Sequence, residues 1–296
     1  MKNLFGIAVS VEELLTICGE ATGTKQPMTS KFRIGGSSAN AALAMKHLGG
    51  SPTLLALIGP PKDYYTSILH DLTERAGIRD RHYIEALKKT NNAKVIITPG
   101  KSHSPVIGER GHLKSDISQV AKMFETFSNG GFTVVTSVRE EEALLAKILL
   151  KNTQEDRRFL HIHHTFCGHD SLCDLASYAD IMVMNEDEFQ KTGGSVERLH
   201  AMGPRAIVVT QAEKGGYCSF EGNRFAYDPV RKYSGSFSSD VGAGDYFNGA
   251  LVHAISSCDW NVSDLRDREK FGQVIDVAAD AAAQKVAFGK ILHRHV

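Results

Sequence analysis

Residues Ser38–Ile58 read SANAALAMKHLGGSPTLLALI, in which a helical pattern over Ser38–Leu48 is followed by an apolar run over Thr53–Ile58. The run is continuous rather than alternating, which is typical of a strand covered on both faces in a parallel sheet. A helix that leads into such a strand is the repeating unit of α/β folds. This stretch therefore predicts a parallel sheet with helices packed on it.

The same alternation of strands and helices extends along most of the chain. The other predicted strands are Leu4–Val9, Lys94–Thr98, Phe132–Val138, Phe159–His163, Asp180–Met184 and Ala206–Thr210. The other predicted helices are Asp63–Ala76, Asp116–Phe127, Glu140–Lys151, Asp170–Tyr178, Asp245–Ser257 and about Gly272–Phe288. The pattern predicts a doubly wound α/β fold in which a mainly parallel sheet is flanked by helices.

Two stretches interrupt this alternation, residues 16–33 and residues 100–114. Long excursions from an α/β sheet are uncommon, and in enzymes they often cover a site. We therefore expect one domain over residues 1–296, with lid segments at approximately 12–34 and 94–114.

Composition gives the chain no net charge, because 34 Lys and Arg residues balance 34 Asp and Glu residues. Without a global basic field, we expect neither nucleic acid nor a membrane as partner. The longest uncharged stretch, roughly Leu48–Pro61, is too short to span a membrane. Five sparse cysteines are typical of a reduced compartment, so the predicted location is cytoplasmic.

Residues 238–250 read SSDVGAGDYFNGA, with Gly242 and Gly244 just before Asp245 at a predicted helix start. Small residues let the backbone approach a ligand, and the first N–H groups of a helix have no helical partner. Such a helix start can bind an anion. A carboxylate beside the anion is explained if Asp245 accepts a proton from a hydroxyl that attacks phosphorus. The alternative is a glycine turn with an acidic helix start.

Residues 34–44 read IGGSSANAALA, in which a glycine pair precedes a helix and Asn40 interrupts its apolar face. Alone, this segment could be a close-packed helix start. Together, the two segments resemble the signatures of the ribokinase-like (PfkB) carbohydrate kinase family, Gly-Gly-x-x-x-Asn near the N terminus and Asp-Thr-x-Gly-Ala-Gly-Asp near the C terminus. The resemblance spans nearly the whole chain, and the second signature is highly specific.

Two intermediate segments agree with this resemblance. Residues 184–188, MNEDE, resemble the family's Asn-x-x-Glu element, and residues 207–215, IVVTQAEKG, resemble its strand and Thr-x-Gly-x-x-Gly turn beside the nucleotide. Without the family, the first would be a helix start capped by Asn185, and the second an ordinary turn.

The resemblance implies a ribokinase-like fold with a small β lid and ATP-dependent phosphorylation of a hydroxymethyl group on a sugar or sugar derivative. It implies Asp245 as the general base. The backbone anion site would be formed by Gly242, Ala243 and Gly244. The substrate site would be lined by Glu12, Gly35, Gly36 and Asn40, together with Asp245. In some members the lid also forms a homodimer interface.

The resemblance also assigns residues to the nucleotide and to ions. The ATP site would be bordered by Asn185, Thr210 and Gly215, together with Gly242 and Gly244. Asn185 and Glu188 would hold Mg²⁺ through its waters, since this ion gives up hydration reluctantly. Asp240 stands where many members place a monovalent-cation ligand, which adds K⁺ as a candidate.

Four positions depart from the family pattern. Glu12 stands where members usually have an aspartate for the sugar, Ala212 replaces the first glycine of the nucleotide turn, and Val241 replaces a threonine. Residues 163–165, HHT, stand where many members have Asp-Pro-Asn. The identity of the acceptor is therefore left open between a sugar and a nucleoside. Ala212 and the missing aspartate also motivate a member that binds ligand without catalysis.

A histidine cluster offers a hypothesis from another class. Four histidines lie within residues 161–169, and His161 and His163 would point the same way from a strand. With later ligands they could bind zinc in a metal-dependent hydrolase. The structural alternative is a set of partly exposed histidines at a strand end.

Overall fold

The computed structural model describes residues 3–17, 28–97, 106–109, 111–113, 117–125, 127, 130–230, 233 and 241–289. Its strands are β1 (Asn3–Ile7), β2 (Ser10–Ile17), β3 (Met28–Gly35), β4 (Pro52–Ile58), β5 (Asp80–Glu85), β6 (Asn92–Ile97), β7 (Val106–Glu109), β8 (Thr133–Val138), β9 (Arg158–Ile162), β10 (Ile181–Asn185), β11 (Ala206–Thr210), β12 (Gly216–Phe220) and β13 (Asn223–Tyr227). Its α-helices are α1 (Ser37–His47), α2 (Tyr64–Arg75), α3 (Ile117–Phe124), α4 (Ala143–Lys151), α5 (Leu172–Ala176), α6 (Glu186–Lys191), α7 (Val196–Met202), α8 (Ala243–Ser257) and α9 (Arg268–Phe288).

Nine of these strands form a central sheet in the order β13-β12-β11-β10-β9-β8-β1-β4-β5. The strands from β11 to β5 run parallel, and β12 and β13 add an antiparallel edge. From β1 the chain continues to β4 on one side and later returns to β8 on the other. In open α/β sheets, ligands bind outside the carboxyl ends of the strands at such a switch point.

Helices cover both faces of the central sheet. One core cluster joins sheet side chains to residues of α1, α2, α8 and α9, and a second joins them to residues of α3 to α7. Every residue of β4 and β8 is buried, as expected for strands covered on both faces. The structure confirms the predicted doubly wound α/β fold with a mainly parallel sheet.

A separate four-stranded sheet has the order β3-β2-β6-β7. Strand β2 pairs antiparallel with β3 and parallel with β6. These strands coincide largely with the expected lid segments, approximately 12–34 and 94–114, of which residues 18–27, 98–105, 110 and 114 lie outside the described part of the chain. The small β-sheet expected beside the main sheet is therefore present.

The structure corrects one predicted strand and assigns another, which lies in an expected lid segment, to the second sheet. Leu4–Val9 does not continue as one strand, because the chain turns at Ile7, whose φ is 85°, and then enters the second sheet at Ser10. The run Lys94–Thr98 belongs to the second sheet as part of β6, and Thr98 lies outside the described residues. An apolar run predicts a strand, but it does not indicate which sheet the strand joins.

Candidate active site

The start of helix α8 leaves several backbone donors open. Its first residue is preceded by Gly242, which has a φ of 85° and so adopts a left-handed conformation that favours glycine. In the described part of the chain no side chain caps this end, and the N–H groups from Gly242 to Asp245 have no helical partner. A Cβ placed on Gly244 would meet no described heavy atom within 4 Å. An anion can therefore approach these N–H groups.

Asp245 is the third residue of α8, and its carboxylate is held from α1. Asn40 Nδ2 donates to Asp245 Oδ2 at 3.0 Å. Burial raises the pKa of Asp245 above its ordinary value, although His161, Asn40 and Ser37 act in the opposite direction. A carboxyl group with a raised pKa beside open N–H donors is a candidate proton acceptor.

The glycine pair before α1 lies against Glu12. The N–H of Gly36 donates to Glu12 Oε1 at 3.2 Å, and a Cβ on Gly35 would lie 2.1 Å from Glu12 Cδ. Arg33 pairs with the other carboxylate oxygen, with 2.6 Å between Nη2 and Oε2. The charge of Glu12 also acts on Asp245. The structure thus brings the predicted substrate-site residues close to the predicted base.

Helices α1 and α8 approach closely at a glycine for which the sequence suggested no role. A Cβ on Gly249 would lie 2.0 Å from the backbone oxygen of Ala41. Ala41 follows Asn40 in α1, and Gly249 lies one turn after Asp245 in α8. The absence of a side chain at Gly249 therefore permits the helix contact that brings Asn40 to Asp245. The sequence feature that could have predicted this close contact is the presence of small residues in both helices.

Asn185 and Glu188 form a capping box at the start of α6, which confirms the expected cap. Asn185 Oδ1 accepts from the Glu188 N–H, and the Asn185 N–H donates to Glu188 Oε2, both at 2.9 Å. Burial acts to raise the pKa of Glu188, but His161 and the Asn185 N–H outweigh it and hold that pKa below its ordinary value. Glu188 is therefore a buried carboxylate, and such oxygen donors suit Mg²⁺.

His161 acts electrostatically on the two carboxylates of the site, a role that the sequence did not reveal. Its Nε2 lies 3.7 Å from Glu188 Oε2, and its charge also acts on Asp245. Burial acts to lower the pKa of His161, but the carboxylates of Glu188 and Asp245 outweigh it, so the pKa lies above its ordinary value. The charge of the imidazole thus acts on both the predicted base and the predicted metal-binding carboxylate.

The other histidines of the cluster follow the end of strand β9. Strand β9 ends at Ile162, so His163 lies beyond the strand, where its ring packs against that of His164 at 4.0 Å between centroids. Across the described ranges, no group of three or more His, Cys, Asp or Glu side chains is arranged to hold a metal ion. The zinc hydrolase hypothesis therefore finds no support in these residues.

The predicted nucleotide turn follows β11, whose last residue, Thr210, lies opposite Asn185 in the sheet. Ala212 adopts a φ of 49°, a conformation that favours glycine, and Gly215 has a φ of 84°. The turn is nevertheless closed by a hydrogen bond of 2.8 Å from the Gln211 N–H to the Gly215 oxygen. Replacement of the family glycine by Ala212 therefore leaves the turn intact.

The predicted site residues thus form two groups. One surrounds Asp245 at the start of α8, and the other lies at the ends of β10 and β11. The charge of His161 acts on the carboxylates of both groups. Asp240, the predicted cation ligand, lies outside the described residues.

Comparison with known proteins identifies the family. The family model for pfkB family carbohydrate kinases matches residues 7–287. Adenosine kinase from Schizosaccharomyces pombe is 22% identical over 263 residues, which cover 78% of this chain and 76% of the relative.

Two solved structures share the fold. Ribokinase from Giardia lamblia has a TM-score of 0.74 and 16% identity, covering 97% of this chain and 93% of that chain. Phosphofructokinase-2 from Escherichia coli, in complex with substrates and products, has a TM-score of 0.75 and 16% identity, covering 100% of this chain and 95% of that chain. The chain belongs to the pfkB family of carbohydrate kinases, phosphotransferases that act on hydroxyl groups of sugars or nucleosides.

Proposed function

We propose that this chain transfers the γ-phosphoryl group of ATP to a hydroxymethyl group of a sugar or sugar derivative, with Asp245 as general base. The observation that carries the proposal is the Asp245 carboxylate, held by Asn40 at 3.0 Å beside the uncapped start of α8. This arrangement provides a proton acceptor and a site for negative charge next to each other.

In the proposed reaction, the acceptor hydroxyl donates its proton to Asp245 while its oxygen forms a bond to phosphorus. The bond from phosphorus to the bridging oxygen breaks, and ADP leaves with that electron pair. In phosphoryl transfer, the protein contributes mainly by positioning the reactants and by stabilising the charge of the transferring group. Proton transfer to a positioned carboxylate typically contributes ~10²–10⁴-fold.

The N–H groups of Gly242, Ala243 and Gly244 would bind the transferring group as its charge redistributes. The dipole of α8 adds about 0.3–1 kcal/mol to such binding. The buried carboxylate of Glu188, with Asn185, fits a hydrated Mg²⁺ ion. When bound, that ion supplies positive charge to the phosphates.

The substrates would lie on either side of this centre. Glu12, Gly35, Gly36 and Asn40 would bind the acceptor, where the amide of Asn40 can donate to hydroxyls and accept from them. Thr210 and Gly215 would border the nucleotide at the end of β11. The second sheet would act as a lid that excludes water and limits ATP hydrolysis.

Several properties stay predictions. No helix within the described residues is long and apolar enough to cross a membrane. A single domain over residues 1–296, the cytoplasmic location, the homodimer through the lid and the K⁺ ion at Asp240 are predictions from the sequence.

A nucleoside is the second candidate acceptor, and one observation favours it. The curated relative with 22% identity is an adenosine kinase. Sugars and nucleosides both present a hydroxymethyl group, so the same base and anion site would serve either substrate.

An ATP-consumption screen tests the proposed function. The purified chain is incubated with ATP and Mg²⁺, with and without K⁺, against sugars, sugar phosphates and nucleosides, and products are identified by mass. Phosphorylation of a hydroxymethyl group is expected for one substrate class and should be absent in a parallel screen of Asp245→Asn. Ligand-induced stabilisation without any phosphorylated product would identify a binding protein and contradict the proposal.

Gly244→Ala tests the open helix start. The added methyl group would extend into the space above the N–H groups, where no described atom now lies within 4 Å. We expect the KM for ATP to rise or kcat to fall by about 10-fold, while stability is unchanged or higher because alanine favours helices. Gly272→Ala in α9 is the control, since that position is equally open. Unchanged ATP kinetics would argue against anion binding here.

Glu12→Gln tests the substrate site. Loss of the charge weakens the pair with Arg33 and any hydrogen bond from a substrate hydroxyl, so the KM for the acceptor should rise by about 10-fold with less effect on kcat. Glu13→Gln is the matched control, because neighbouring residues of a strand point to opposite faces. The acceptor KM of both variants is measured in steady-state assays. If Glu12→Gln and Glu13→Gln have the same acceptor KM, Glu12 does not belong to the substrate site.

A further inference from the structure

The chain passes between the two sheets at several connections, and the side chain of Asn91 joins three of them. Asn91 lies between β5 and β6, where its Nδ2 donates to the Val9 oxygen at 3.2 Å and its Oδ1 accepts from the Gly111 N–H at 2.9 Å. Val9 lies between β1 and β2, and Gly111 lies between β7 and α3. One amide group therefore ties together three connections that link the second sheet to the central sheet and its helices.

The residue before Asn91 is anchored to the central sheet. Thr90 is fully buried, its Oγ1 accepts from the Gly59 N–H, and its own N–H donates to Asp63 Oδ2, both at 2.9 Å. Gly59 follows the end of β4, and Asp63 precedes α2. A Cβ on Gly59 would lie 2.6 Å from the Thr90 nitrogen, so the glycine permits this close approach. Asn91 thus extends from a fixed point at the carboxyl end of β4.

Asn91 holds the start of β2 at two points. Its side chain binds the Val9 oxygen, and its backbone oxygen accepts from the Val11 N–H at 3.0 Å. Val9 and Val11 are buried, and a buried backbone group that loses its partner is costly. The pairing of β2 with β6 begins directly beyond this point, between Val11 and Asn92. The position of β2 relative to the central sheet therefore depends on Asn91.

The residue that follows Val11 in β2 is Glu12, which belongs to the predicted substrate site. Glu12 Oε1 accepts from the Gly36 N–H at 3.2 Å, and the Gly36 oxygen accepts from the Asn40 N–H at 2.9 Å. Asn40 in turn donates to the Asp245 carboxylate through its side chain. A shift of β2 would therefore change the position of Glu12 relative to the predicted base.

We propose that Asn91 is a positioning residue for the acceptor, because it holds β2 against the anchored Thr90 and so keeps the Glu12 carboxylate at the Gly36 N–H. This inference rests on the proposed role of Glu12 in the substrate site. The side-chain hydrogen bonds of Asn91 go to backbone groups of other segments, so its effect on the acceptor acts through Glu12.

Asn91→Ala removes both side-chain hydrogen bonds. We expect the acceptor KM to rise by about 10-fold, with less effect on kcat and none on the KM for ATP, because only the substrate site shifts. Asn152→Ala is the matched control, since Asn152 Nδ2 also donates to a backbone oxygen of another segment, that of Glu125, at 3.2 Å. Both variants should lower Tm. An unchanged acceptor KM in Asn91→Ala, or an equal rise in Asn152→Ala, would overturn the proposal.

Two further variants separate positioning from a structural role. The double variant of Asn91→Ala with Glu12→Gln should have an acceptor KM no higher than that of Glu12→Gln alone, because both changes act through one contact. A rise equal to the product of the two single effects would contradict this. Asn91→Asp keeps an oxygen for the Gly111 N–H but loses the donor to Val9, so it should raise the acceptor KM even if Asn91→Ala fails to fold. A wild-type acceptor KM in Asn91→Asp would overturn the proposal.

Hydrogen exchange of the unliganded protein, measured by mass spectrometry, distinguishes this proposal from the proposed function. In Asn91→Ala, the amides of β2 should exchange about 5-fold faster than in the wild type, while those of β4 should not change. This result would support the hold on β2 even if no variant phosphorylated any acceptor, an outcome that would reject only the kinase function. Equal exchange of β2 in both proteins would overturn the proposal.

Discussion

Replacing Asp245 with asparagine should lower kcat by about 100-fold or more, because the variant loses the proton acceptor while keeping the shape of the side chain. ATP binding, measured by calorimetry, should persist because the N–H groups at the start of α8 are unchanged. Steady-state kinetics with the substrate identified in the screen provides the measurement.

Stability measurements of the variant should exclude misfolding as the cause of its lower kcat. Burial raises the pKa of Asp245, so the folded chain binds a proton more tightly there than the unfolded chain does. The ionised carboxylate therefore destabilises the folded state. This destabilisation grows as the pH rises through the window between the unfolded and folded pKa values of Asp245. Asp245→Asn removes that cost and should be at least as stable as the wild type at pH 7. Asp71→Asn, on the exposed face of α2, is the control, and near-normal turnover in Asp245→Asn would remove Asp245 as the base.

Replacing Gly249 with alanine should destabilise the fold and reduce activity together. The added Cβ would lie 2.0 Å from the backbone oxygen of Ala41, so α1 and α8 must move apart. Overpacking of this kind typically costs about 1–3 kcal/mol, which outweighs the helix preference of alanine, about 1 kcal/mol. Because Asn40 follows the movement of α1, its 3.0 Å contact with Asp245 should lengthen and kcat should fall.

Gly272→Ala in α9 is the matched control for this prediction. A Cβ there meets no described heavy atom within 4 Å, so only the helix preference changes and stability should rise by about 1 kcal/mol. Urea unfolding of the two variants provides the measurement. If both substitutions stabilised the protein equally, the contact between α1 and α8 would not require a glycine at position 249.

The central strands of the sheet could be predicted from the sequence because they are continuous apolar runs, and β4 is buried throughout. The edge strands could not. In β5 one residue of six is buried, and in β13 none is, so neither carries enough apolar residues to stand out. The residues alone predicted only one strand of the second sheet, Lys94–Thr98, and the small β lid followed from the family resemblance.

The glycines and carboxylates of the site could be predicted because they lie in compact motifs. The contacts between motifs could not, since they join residues far apart in the chain. Asn40 and Asp245, for example, are separated by 205 positions. The roles of Gly249 and His161 likewise depend on which elements pack together, and no local pattern reports that.

The most direct test of Asp245 as proton acceptor is the pH dependence of kcat/KM in the wild type and in Asp245→Asn. The structure predicts that wild-type activity falls on acidification with a pKa above the ordinary aspartate value, because burial raises the pKa of Asp245. In Asp245→Asn, the residual activity should lose that acid limb. The same acid limb in both proteins would mean that another group accepts the proton, and the proposed mechanism would be wrong.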